Sequence, residues 1–152
     1  MKALLYADGS PRSRSAAAWV ALMMKTDPSM RLTVISFVTY VPGYGMQWDD
    51  GTAIEYAVAD VEERVMASTR KVFEEHRVAV ETVVGFSFGT AGIAASIVDY
   101  ARRGGFHVIV LGARQKALPD AVVENVLRLS TVPVLLVKKL PAAMLAALTE
   151  DK

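Results

Sequence analysis

Five short apolar runs separated by stretches of helical periodicity constrain this chain more than any other feature. They fall at residues 3–7, 32–38, 80–84, 108–111 and 134–137, each with the length and continuity of a strand buried on both faces. Between them, residues 13–25 carry Ala17, Val20, Ala21 and Met24 on one helical face, and residues 54–73 repeat Val58, Val61, Val65 and Val72 among Glu, Arg and Lys. Residues 91–103 and 121–129 supply two more helices, with Thr90 and Asp120 placed as N-caps. Such regular alternation calls for parallel strands joined by right-handed crossovers. The expectation is an α/β chain: a single five-stranded parallel sheet, doubly wound, with helices on both faces. Ligands of such sheets sit beyond the carboxyl ends of the strands, where the strand order reverses. The loops after Ala7, Val38 and Leu111 are therefore where a site is to be sought.

The 152 residues, 53% of them hydrophobic, suit one core, so residues 1–140 are expected to form one domain and residues 141–152 a C-terminal extension. Lys and Arg number 17 against 16 Asp and Glu, with no block of like charge, which argues against a nucleic-acid partner. The absence of cysteine removes disulfides, thiolate nucleophiles and zinc ribbons, and suits a reduced cytoplasmic home. The apolar N-terminus breaks at Asp8, too early for a signal peptide or a spanning helix, so no membrane association is expected.

Each candidate loop has two readings. Asp8, ending the first strand ahead of Gly9 and Ser10, can accept a bond from a ribose hydroxyl or an exocyclic amine; the same letters also make an ordinary turn and helix cap. Residues 40–51 hold three glycines and three large aromatics, which suits a lid over a ligand and equally a surface loop. Residues 85–92 put glycines before a helix, yet no lysine follows Gly92 as a nucleotide-triphosphate loop requires, and a strand end explains them as well. His76 and His107 have no catalytic partners at recognisable spacing and read as packed or exposed side chains; no metal set is expected. The loop from Val110 to Asp120, VLGARQKALPD, offers a glycine, Arg114 and Lys116, and a helix start, much of what a phosphate needs.

Four stretches together resemble the universal stress protein family over nearly the whole length. They are the opening ALLYADGS at residues 3–10, SFV at 36–38, the helix at 91–103 leading into FHVIVLGAR at 106–114, and the closing VLRLSTVPVLLV at 126–137. The resemblance implies an adenine nucleotide alpha hydrolase-like fold in which Asp8 meets the adenosine, backbone at Val38 meets the adenine, and phosphates rest in a loop of pattern G-x-x-G-x9-G-S/T. On that basis the candidate nucleotide cleft comprises Asp8, Gly9, Ser10, Val38, Leu111, Gly112, Arg114 and Lys116, with ATP or AMP as ligand.

The phosphate pattern is broken here. Gly112 matches its first glycine, but Gln115, Asp120 and Ala121 stand where glycine, glycine and a hydroxyl belong, and seven residues separate Gly112 from Asp120 where the pattern has twelve. Asp120 would set its carboxylate where phosphates belong; two like charges about 4 Å apart at a dielectric near 20 repel by roughly 4 kcal/mol, about three decades of affinity. Arg114 and Lys116 can pair with phosphates, or Lys116 can pair with Asp120. The expected function is a non-catalytic stress-response module with weakened or lost ATP binding. The alternative is an adenine-nucleotide-binding switch or weak ATPase using the Asp8 and Gly112 cleft; a phosphoryl-transfer enzyme acting through Asp8 lacks an acidic metal partner. The family implies a homodimer through the last strand, from Val134 to Val137, whose edge the stretch from Pro141 to Leu148 can cover, unless that tail frays.

Overall fold

A computed structural model describes residues 1–40, 51–88, 92–114 and 120–150. Its sheet is built from β1 (Lys2–Tyr6), β2 (Arg31–Tyr40), β3 (Glu81–Phe88), β4 (Val108–Ala113) and β5 (Val134–Lys138), all parallel, in the order β3-β2-β1-β4-β5. The chain winds outward from β1 to β3, then returns to place β4 on the other side of β1. That reversal opens a crevice between the carboxyl ends of β1 and β4.

Alternation along each strand divides the core in two. Ala3, Leu5 and Ala7 of the first strand face α1 (Pro11–Thr26) and a long helix at residues 51–75, together with Leu32, Val34, Val38, Val110 and Val137. Leu4, Ile35, Ile109 and Leu111 face the other way, onto α4 (Gly92–Arg103) and α5 (Ala121–Leu129). Burial on both faces is why the strands read as unbroken apolar runs.

Several boundaries differ from the sequence expectation. The first helix begins at Pro11 rather than residue 13, because Ser10 caps it, accepting the Ser13 N–H at 3.2 Å, with proline at the start where its missing N–H costs nothing. The pattern at residues 54–73 is three segments: α2 (Gly51–Val61), a π-helical turn (Glu62–Met66) and α3 (Ala67–Glu75). Within the π turn the Val65 carbonyl accepts the Thr69 hydroxyl at 2.8 Å and the Ser68 hydroxyl at 3.1 Å, which offsets the wider turn's looser backbone bonding. Gly85, taken with the loop at residues 85–92, lies inside β3, whose register with β2 continues to Phe88 opposite Tyr40. The segment at residues 41–50, Gly89, and Thr90 as an N-cap lie outside the described residues.

The chain closes with α6 (Ala142–Glu150). It packs against α1, with the Leu140 N–H donating to Ser15 Oγ at 3.1 Å.

Candidate functional site

The cleft at the reversal point has a volume of about 250 Å3 and is lined by Tyr6 and Asp8 after β1, Arg12 and Ser13 of α1, Leu111 and Gly112 of β4, and the first turn of α5 from Asp120. Three of the sequence candidates, Asp8, Leu111 and Gly112, meet here. Gly9 and Ser10 shape its first loop, whereas Val38 and Arg114 do not line it. Lys116 and Gln115 lie outside the described residues. Val38 is buried in β2 opposite Phe86 of β3, three positions past Ile35, whose carbonyl accepts the Ala7 N–H at 2.9 Å.

The loop after β1 is wound around the Asp8 carboxylate. Its Oδ1 accepts the Ser10 N–H at 2.9 Å, its own N–H donates to Ser13 Oγ at 3.2 Å, and Arg14 donates to the Gly9 carbonyl at 2.9 Å. Gly9 turns at φ +79°, a left-handed conformation that glycine adopts without strain. Gly112 answers a different need. A Cβ on it would stand 2.5 Å from the Arg12 carbonyl, so β4 and the start of α1 can touch only because this residue is glycine. The glycine that matches a phosphate loop therefore has a packing reason of its own.

Asp120 caps α5, its Oδ1 accepting the Val123 N–H at 2.9 Å. Its Oδ2 lies 2.6 Å from Arg12 Nη2, and the same guanidinium nitrogen lies 3.4 Å from Asp8 Oδ2. Arg12 is thus brought to Asp120 from a helix more than a hundred residues away, while Lys116, the partner suggested by the sequence, lies outside the described residues. These pairs are largely shielded, with side-chain exposures of 21% for Arg12 and 16% for Asp120. Among the described lining residues, two carboxylates surround one guanidinium.

Tyr6 completes the wall. Burial first, then the Asp8 and Asp120 carboxylates, push its phenol up to about 12 against the opposing pull of Arg12, so it stays protonated and can donate a hydrogen bond. Its ring lies 6.2 Å from that of Phe37, giving the cleft an aromatic side. Sequence reasoning missed both Arg12 and Tyr6. Arg12 stands four residues after Asp8 in a helix's first turn, a spacing that brings the two side chains together and was a usable signal.

The histidines lie away from this cleft. His76, the C-terminal cap of α3, is buried, and His107 Nδ1 accepts the Lys2 N–H at 2.9 Å at the opposite end of β1. Among the described residues no cluster of three or more His, Asp or Glu is placed to hold a metal ion, and no helix is long and apolar enough to cross a membrane.

The fold and cleft are those of a doubly wound α/β protein with a compact pocket at its switch point. The chain belongs to the universal stress protein family, whose model matches residues 1–138. Solved structures with the same fold include a universal stress protein from Archaeoglobus fulgidus, 19% identical, matched over 90% of this chain and 92% of that one with a TM-score of 0.65. A universal stress protein family protein from Arabidopsis thaliana with AMP bound is 15% identical, over 95% and 94%, with a TM-score of 0.67. The Archaeoglobus fulgidus protein in complex with dAMP is 14% identical, over 90% and 96%, with a TM-score of 0.59. No protein of curated function matches the chain.

Proposed function

We propose that this protein is a non-catalytic, cytoplasmic stress-response module whose adenine-nucleotide site keeps its nucleoside half and has given up most of its phosphate half. One observation carries the reading. The Asp120 carboxylate already bonds the first turn of α5 and the Arg12 guanidinium, the helix N-terminus and the cation that a phosphate in this cleft would use. A phosphate must displace that carboxylate or sit beside it, and Asp8 adds a second like charge nearby. The nucleoside side has fewer obstacles: Tyr6 offers a protonated phenol, and Asp8 Oδ2, held only at 3.4 Å by Arg12, keeps capacity for a ribose hydroxyl.

The same reading makes the protein a homodimer through the outer edge of β5. Leu136 is 38% exposed on that edge strand, and Leu127 and Leu129 of α5 are exposed as well. Sedimentation of wild type and Leu136→Lys tests this: dimer and monomer respectively are expected, and a monomeric wild type rejects it.

Titration calorimetry with adenosine, AMP and ATP tests the site. Comparable, weak binding of all three is expected. A dissociation constant for ATP below about 10 μM, with adenosine far weaker, would overturn it in favour of a nucleotide-binding switch or weak ATPase.

A further inference from the structure

A cavity of about 650 Å3 opens at the other end of the molecule, between the last turns of α1 and α3, lined in part by Met24, Met30, His76 and Arg77. His76 is only 3% exposed, and both of its ring nitrogens face backbone carbonyls. Nδ1 lies 2.8 Å from the Val72 oxygen within its own helix, and Nε2 lies 3.2 Å from the Leu148 oxygen of α6. A neutral imidazole has one N–H and one lone pair, so it can satisfy one of these acceptors while turning a lone pair toward the other. An imidazolium has two N–H groups and satisfies both. The two carbonyls also belong to the final turns of their helices, where partial negative charge collects and a cation is favoured.

We propose that His76 is a pH-operated clasp that fastens the tail helix α6 to the body of the protein. Protonated, the ring bridges α3 and α6. When the imidazolium gives up one proton, the shorter bond to Val72 keeps the other and the bond to Leu148 is lost. The described charged side chains facing the same cavity are Lys25 from α1 and Glu75 and Arg77 on either side of His76. Pro28, Met30, Val78 and Ala79 complete the lining without charge.

The clasp matters because of where the tail lies. Its first residues are pinned at Ser15 of α1, beside a second cavity of about 270 Å3 that Arg14, Ser15, Pro141 and Leu145 help to line. Arg14 also bonds the Gly9 carbonyl of the cleft loop. The first turns of α1 therefore carry both the cleft loop and the start of the tail, and loss of the His76 bond loosens one neighbour of that segment.

Hydrogen exchange of the peptides spanning residues 141–150, corrected for the intrinsic rate, tests the clasp between about pH 5.5 and about pH 8. In wild type the protection is expected to fall roughly tenfold as pH rises, the change that about 1.4 kcal/mol produces, and to stay flat in His76→Gln. Equal protection across the range in wild type, or the same fall in the variant, overturns the proposal. Should the variant fail to fold, nitrogen NMR of the wild-type ring decides: two N–H groups at the acidic end and an Nδ1–H tautomer at the basic end support the clasp. A single neutral tautomer throughout rejects it.

Discussion

Replacing Asp120 by asparagine separates the two jobs this side chain performs. Asparagine caps a helix about as well as aspartate, so the bond to the Val123 N–H survives and α5 keeps its start. What disappears is the charge, and with it the 2.6 Å ion pair to Arg12. A phosphate seated in the same place no longer meets an anion that, at about 4 Å and an effective dielectric near 20, would repel it by roughly 4 kcal/mol. It also gains an Arg12 guanidinium whose other contact among the described residues is the 3.4 Å one to Asp8. Asp8 remains and part of the wild-type repulsion is already offset by Arg12, so the gain in ATP affinity for Asp120→Asn is expected at about one to three decades. Adenosine affinity should change by less than about threefold, since a neutral nucleoside feels little of the removed charge. The broken charge-assisted bond should lower stability by about 1–2 kcal/mol, measurable by urea unfolding. Calorimetry of both ligands against both proteins supplies the comparison. Unchanged ATP affinity in Asp120→Asn would refute the reasoning, because it would mean that the carboxylate is not what keeps phosphates out.

Gly112→Ala should lose about 2–3 kcal/mol in urea melts with no ligand present, since its Cβ would meet the Arg12 backbone at 2.5 Å; a neutral effect would show that α1 can move aside. Arg77 holds φ +57° where the Val78 N–H bonds the Phe73 carbonyl at 3.1 Å and the Arg77 N–H bonds the Glu74 carbonyl at 3.0 Å, a helix ending that favours glycine. Arg77→Gly should therefore raise stability by about 0.5–1 kcal/mol, less any loss of the cation's attraction to the helix end, and a lower melting temperature would contradict this. Tyr6 ionises less readily folded than unfolded, so its contribution is complete below about pH 10 and is lost as pH rises to about 12, amounting to about 2–3 kcal/mol. Unfolding of wild type and Tyr6→Phe across that window should show the extra decline in wild type alone; parallel curves would exclude the shift.

The strands were legible because a strand buried on both faces must be apolar at consecutive positions. The helices were legible where one face packs, as with Ala17, Val20, Ala21 and Met24. The apolar run at 80–84 stopped short of the end of β3, and of the two readings of residues 85–92 the strand end holds as far as Phe88. Phe86, Ser87 and Phe88 carry a strand's alternation, with Phe86 exposed and Ser87 fully buried. The π turn left no mark on the pattern, since Val58, Val61, Val65 and Val72 keep the spacing of an ordinary helical face. At the site, Asp8 beyond the first strand and Asp120 as the cap of the last crossover helix were visible from the letters.

The sequence by itself determined the alternating α/β order and the end of the sheet at which the cleft opens, because each depends on residue types at short spacing. The tertiary structure alone decided that Arg12 reaches Asp120, that Gly112 is required by the backbone of α1, and that His76 reaches the tail. Those are contacts between residues far apart in the chain, made only when crossovers bring separate elements together, and no local pattern encodes such a distance.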